Sequence, residues 1–287
     1  MVDTIEQVNI RGLDIDKTLK GFALTEFVFK NELCTVSSTA ADAIRWYQET
    51  AADMTATTPS AVANISPLSK FPTLEHSWVR NTSYPKKYGA EVKISMEDIK
   101  TADVDVLSRQ LLRLTRAVSK QIDTDIWNVI TESQSASNIN SVTSTAAWDA
   151  ASGQNCVEDI LEAIYDIEIA GYNADDAIIV LSPKDKRSLF TWLITTIGDK
   201  IANFASDLTR DGVNVKLFGH KILTNINVTA DYAAVIVPGC ATWKELTPLT
   251  SKVIEDPGIG TQLRVWEEGI CILTDPKQVS LISNTQT

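Results

Sequence analysis

Nucleophilic, redox or metal chemistry in this chain would have to start from its four cysteines, its two histidines or its carboxylates. None of these stands at a spacing that builds a site. Cys34, Cys156, Cys240 and Cys271 are far apart with no CxxC pair, which reads as scattered reduced thiols. His76 and His220 are isolated, and neither lies in a zinc or catalytic motif. The turn Asp256-Pro257-Gly258-Ile259-Gly260 lacks the Lys and following Ser or Thr of a phosphate-cradling loop and precedes strand-like sequence, so it is a turn and not a nucleotide site. Glu158, Asp159, Glu162 and Asp166 flank apolar positions at helical spacing, the pattern of a solvated helix face. No catalytic residue, metal site or cofactor is read from these residues.

Binding chemistry is better represented. Arg109, Arg113, Arg116 and Lys120 recur every three or four positions, so a helix sets them on one face, opposite Leu107, Leu111, Leu114, Val118 and Ile122. Asp105 and Asp123 bracket the basic stripe on its own face. Such a stripe is either a solvated face or a contact with a neighbouring protein or with nucleic acid. Trp46, in the segment AIRWYQE, and the groups Trp78-Val79-Arg80 and Tyr84-Pro85-Lys86-Lys87-Tyr88 set aromatic rings beside cations. That combination suits stacking on nucleic acid and suits a protein interface equally. A formal net charge of −11 works against sequence-independent wrapping of nucleic acid.

The elements that must carry these groups can be read in order along the 287 residues. Residues 1–40 hold no clear long helix, and Phe22, Leu24, Phe27 and Phe29 suggest an arm that docks on the body or on a neighbour. From 41 to about 95 a Thr/Ser/Ala/Pro-rich stretch separates two segments of strand character, the second ending with Ala90, Val92 and Ile94 alternating with polar residues. This reads as a long two-stranded excursion. Ser95 and Asp98 open a helical turn, and residues 104–132 contain neither Gly nor Pro, so one helix of about 40 Å is expected. Residues 134–155 are a polar connection broken only by Trp148. A second unit follows, with an amphipathic helix ending at Gly171, a buried strand at Ala177–Leu181, a helix opened by Ser182-Pro183, and short strands at Lys221–Thr224 and Ala233–Val237. The tail forms a hairpin about Asp256–Gly260 with Leu263, Val265, Ile270, Ile272 and Leu273 inward. No apolar run approaches a bilayer span, and the first residues lack the pattern of an export signal, so neither membrane insertion nor export is expected.

Arm, extended loop, short helix, very long helix, mixed α/β unit and closing strands form an order that resembles the Hong Kong 97 type fold of tailed-virus major capsid proteins. Three phrases are also similar to members of that family: ISPLSKFPTLEHSWVR at 65–80, YGAEVKISMEDI at 88–99 and IDTDIWNVI at 122–130. The resemblance implies an α+β fold with an N-arm at 1–40, an extended loop at 41–98, a peripheral domain with the spine helix at 99–149, an axial domain at 150–247, and peripheral return strands at 248–287. It implies a structural subunit, not an enzyme, that assembles with itself as pentamers and hexamers into an icosahedral shell around double-stranded DNA held without sequence specificity. Scaffolding, portal and decoration proteins are the further partners, no membrane is involved, and the place is the virion capsid, assembled in the host cytoplasm. Trp46, Trp78, Arg80, Lys86, Lys87, Arg109, Arg113, Arg116 and Lys120 are the subunit-interface candidates. Some members join a loop lysine covalently to an asparagine; Lys86 and Lys87 lie in the corresponding region, with no readable partner. An encapsulin compartment holding cargo enzymes has the same fold and is the nearest alternative, and a soluble α/β enzyme is the more distant one.

Overall fold

A computed structural model describes residues 28–48, 65–70, 79–97, 106–135, 137–150, 152–197 and 216–287. In chain order its elements are α1 (Phe29–Glu32), β1 (Cys34–Ser38), β2 (Ile44–Gln48), β3 (Val79–Ser83), β4 (Lys86–Ser95), α2 (Val106–Ile130), β5 (Asn140–Thr143), α3 (Cys156–Ile169), β6 (Ile178–Leu181) and α4 (Pro183–Trp192). They continue with β7 (Lys216–Leu217), β8 (His220–Thr224), β9 (Tyr232–Ile236), β10 (Ala241–Asp256), β11 (Gly260–Leu273) and β12 (Val279–Ser283). No helix among the described residues is long and apolar enough to cross a membrane. The chain divides into two compact units, the first within 1–44, 83–127 and 242–272, the second within 45–82, 128–241 and 273–287.

In the first unit a four-stranded sheet runs in the order β1-β10-β11-β4, with β4 antiparallel to β11 from Ser95 opposite Gly260 to Lys86 opposite Gly269. The sequence reading assigns 86–95 to the extended excursion; its alternation of buried and exposed residues is present, but the strand it pairs with is β11. β2 and β3, nearly all of which fall in the second unit, pair in a separate two-stranded sheet. Helix α2 has 25 residues, about 37 Å at 1.5 Å per residue. Leu111, Leu114, Val118, Ile122 and Ile126 are buried along it.

Toward the end of α2 the basic-stripe face changes character. Asp123 is not a solvated partner of the cations but is buried, its carboxylate accepting from the backbone N–H of Val28 at 3.0 Å and of Lys30 at 3.3 Å. These donors belong to the start of α1, whose first turn cannot satisfy its own N–H groups. An anion there fits the positive end of the short helix. One turn further on, Trp127 is fully buried, its ring stacked on Phe29 at 5.8 Å. Residues 28–38 therefore dock on the unit's own helix and sheet; Phe22, Leu24 and Phe27 lie outside the described residues.

On β11 the inward residues are Leu263, Val265, Glu267, Gly269, Cys271 and Leu273, so Ile270 lies on the outer face, contrary to the sequence reading, while Ile272 is buried as expected. The period of two carries through a glutamate and a glycine that hydrophobicity alone skips. Gly269 leaves room for Trp243: a Cβ there would stand 2.6 Å from Cζ2 of the indole and 2.9 Å from the Lys244 carbonyl. Gly269→Ala is expected to cost about 1–3 kcal/mol by overpacking, measured as a lowered urea midpoint.

The second unit is built on a mixed sheet ordered β5-β12-β9-β6-β8-β7. β5 with β12 and β6 with β8 are parallel; β9 is antiparallel to both its neighbours. β6 is buried at every position, as its continuous apolar run requires. Ser182 caps α4 by accepting from Asp185 N–H at 3.1 Å, with Pro183 in the first turn. Trp148 is not part of a polar linker: it is 1% exposed, packs in the main core with Cys156, Ile160 and Ala163, and donates from Nε1 to Asp159 Oδ2 at 2.7 Å. Residues 279–287 also belong here, because β12 is held between β5 and β9; the reading that returned all of 248–287 to the first unit gave this strand the wrong sheet.

Candidate assembly surface

All four cysteines are free and buried, and burial pushes the Cys156 thiol up to about 12, so it stays protonated at neutral pH. Nδ1 of His220 lies 3.2 Å from the Ala177 carbonyl, a packing role. No group of three or more His, Cys, Asp or Glu side chains among the described residues is placed to hold a metal ion.

Arg109, Arg113, Arg116 and Lys120 are all exposed on α2, on the side away from its buried leucines, as helical spacing requires. The stripe ends where Asp123 and Trp127 are covered by α1. Lys86 and Lys87 open β4 and are about two-thirds exposed, each facing a carboxylate: Lys86 Nζ is 3.5 Å from Asp125 Oδ2, and Lys87 Nζ is 2.8 Å from Glu268 Oε1. Lys87 and Glu268 are direct cross-strand partners, and the lysine's hydrogen bond holds the Glu268 carboxyl below the ordinary glutamate range. Lys87 also stands 6.0 Å from the Trp266 ring. Gly89 faces Trp266 across the ladder, and a shallow cavity of about 560 Å³ opens there, walled by Glu91, Arg264 and Trp266. Arg264 Nη2 and Glu91 Oε2 are 2.6 Å apart beside it.

The remaining candidates are elsewhere. Trp46 is half-buried on β2 and Arg80 is exposed on β3, in the two-stranded sheet, where Asn81 Nδ2 donates to Gln48 Oε1 at 3.4 Å. Trp78 lies outside the described residues. Thus α2 gathers its four cations on one face and β4 gathers two lysines, while Trp46 and Arg80 sit on a different sheet.

The strongest polar cluster in the first unit was missed from sequence. Glu267 is fully buried, its Oε1 2.6 Å from Lys30 Nζ and 3.0 Å from Trp243 Nε1, which donates to it. Lys30 also reaches Glu245 Oε1 at 3.0 Å and stands 5.5 Å from the Trp243 ring. Burial, opposed by the Lys30 charge, raises the Glu267 carboxyl above the ordinary glutamate range. Tyr88 packs 6.1 Å from the Trp243 ring and donates to Asp125 Oδ2 at 2.6 Å; burial first, then Asp125, pushes its phenol up. This cluster clamps α1 to the β10–β11 hairpin. Its only advance signal was the phase of β11, in which position 267 must point inward.

A long helix beside a four-stranded sheet with an N-terminal segment docked on both, together with a mixed six-stranded unit flanked by helices, is the Hong Kong 97 type capsid fold, of class α+β. Solved structures similar to this chain include the capsid of cyanophage P-SCSP1u, 14% identical, TM-score 0.67, covering 91% of this chain and 89% of that one. A virus-like particle from Pyrococcus furiosus is 11% identical with a TM-score of 0.62, covering 95% and 99%, and Mycobacterium phage Che8 is 13% identical with a TM-score of 0.60, covering 86% of each. No curated protein matches the sequence. The model of the family described as phage capsid protein matches residues 80–279, well over half the chain, and the chain belongs to that family.

Proposed function

We propose that this chain is the major capsid subunit of a tailed virus, a structural protein that assembles into pentamers and hexamers of an icosahedral shell enclosing double-stranded DNA. The observation that carries this reading is the family match over residues 80–279, which runs through both compact units. Residues 1–27 and 41–85 act as arm and extended loop reaching neighbouring subunits, while 28–38 and 86–95 belong to the body of the subunit itself. The first compact unit, which holds most of α2, is the peripheral domain, and the second, built on the mixed six-stranded sheet, is the axial domain around the symmetry axes. Each contact is modest, but repetition around closed rings makes the shell cooperative. Trp46, Trp78, Arg80, Lys86 and Lys87 belong to the contacts between subunits. Scaffolding, portal and decoration proteins are the further partners, and assembly in the host cytoplasm ends in the virion.

Arg109, Arg113, Arg116 and Lys120 face an acidic surface of an adjacent subunit or the packaged DNA. Arg113→Glu with Arg116→Glu is expected to lower the yield of filled shells at least about tenfold, the effect of ~1.4 kcal/mol lost at each repeated contact. Unchanged yield and DNA content would remove the stripe from both roles.

A cargo-holding compartment is the second reading, favoured by the likeness to the Pyrococcus furiosus particle. Particles isolated from the native host separate the two. Nuclease-protected double-stranded DNA is expected inside them; particles that hold a second protein and no protected DNA would establish the compartment instead.

A further inference from the structure

Helix α3 buries Ile160, Ala163, Ile164 and Ile167 and leaves an unusual outer face. Leu161, Tyr165 and Ile169 stand 44%, 58% and 68% exposed at successive turns, and the exposed Glu158, Glu162 and Glu168 lie among them. At 100° per residue these six positions fall in an arc of about 120°. The helix, CVEDILEAIYDIEI, has five carboxylates and no cation. Glu158 with Glu162, and Glu162 with Asp166, are like charges one turn apart, which disfavours the helix in isolation. Among the described residues, neither Glu162 nor Glu168 has a salt-bridge partner. Between this face and Trp192 lies a shallow groove of about 530 Å³, walled by Val157, Leu161 and Tyr165. An aromatic and aliphatic stripe ringed by uncompensated negative charge calls for a partner that brings apolar groups and cations together.

The same unit carries that complement on α4 and the turn after it. Arg187 is exposed, Lys186 and Phe190 are half-exposed, and Ile194 is 45% exposed. Lys186 stands 5.6 Å from the Phe190 ring. The helix's one carboxylate, Asp185, is fully buried, so all the charge that α4 shows to solvent is positive. Lys184 is already engaged by Asp149 at 2.7 Å, whereas Arg187 has no salt-bridge partner among the described residues.

We propose that the α3 face of one copy docks on the α4 face of a second copy, pairing Glu158 and Glu162 with Lys186 and Arg187 around a contact of Leu161 and Tyr165 with Phe190 and Ile194. The inference rests on the shell-subunit reading and deepens it by naming the surfaces that join subunits. Repeated head to tail, the contact is heterologous: an open chain leaves one of each patch bare, and a closed ring covers all of them.

Charge exchange on the full-length protein tests this, with assembly read by sedimentation and electron microscopy and folding by circular dichroism. Glu158→Lys with Glu162→Lys, and separately Lys186→Glu with Arg187→Glu, are each expected to lower the assembled fraction at least about tenfold. The four substitutions together are expected to restore it to within about twofold. As a second readout, Leu161→Cys with Ile194→Cys is expected to give a ladder of disulfide-linked multimers on oxidation, since the native cysteines are buried. Single reversals that assemble like the parent, a combination that fails to recover while remaining folded, or no ladder beyond that of the single-cysteine variants would overturn the contact while leaving the shell reading intact. A parent protein that stays monomeric across salt and pH would overturn both.

Discussion

Lys30→Met is expected to lower stability by about 3–5 kcal/mol at neutral pH, because it strips the ammonium from a buried carboxylate that water cannot reach. Glu267 is 0% exposed and would keep only the Trp243 indole, 3.0 Å away, while its second oxygen already lacks a partner. The substitution also removes the link from α1 to Glu245. The pH dependence identifies the group responsible. Burial holds the Glu267 carboxyl above its ordinary value of 4.5. The folded state therefore binds its proton more readily than the unfolded chain, and this contribution to stability is present below the unfolded value and lost as pH rises through the folded one. Without Lys30 that loss grows, so urea denaturation should show a large penalty at pH 8 and a much smaller one at pH 5. An equal penalty at both would mean that the bared Glu267 is not its cause.

Trp148→Ala is expected to destabilise the second unit by about 3–5 kcal/mol, the usual cost of deleting a fully buried aromatic ring. Part of this is polar, since Asp159 is 7% exposed and accepts the indole N–H at 2.7 Å. Trp148→Phe keeps most of the apolar contact and leaves the carboxylate short of a donor, so it should cost about 1–3 kcal/mol. Urea midpoints for the two variants measure the difference directly. A full loss in Trp148→Ala with none in Trp148→Phe would mean that the hydrogen bond carries nothing, and no loss in either would place Trp148 outside the core.

These two residues mark where sequence reasoning stops. Helix α2 was legible because a run free of Gly and Pro carried leucines on one face and cations on the other, and local periodicity is all that a helix of this length needs. The Ser182-Pro183 cap and the β10–β11 hairpin were legible for the same reason: turn and cap chemistry is local. Trp148 was not, because β5 beside it is four residues long, NSVT, and exists only through its parallel pairing with β12, some 140 residues away. Lys30, Asp123 and Glu267 were hidden for a related reason. Charge signals solvent in a sequence, and only the fold reveals that α1 brings an ammonium to Glu267 and two N–H groups to Asp123. The basic stripe was placed correctly as an exposed face, yet its end at Asp123 depended on that same α1 docking.

The claim on which the rest depends is that this chain builds a shell. Electron microscopy of the purified full-length protein, across a range of salt and pH, tests it most directly. Closed, icosahedral particles are the expected result; monomers or small oligomers under every condition would contradict it.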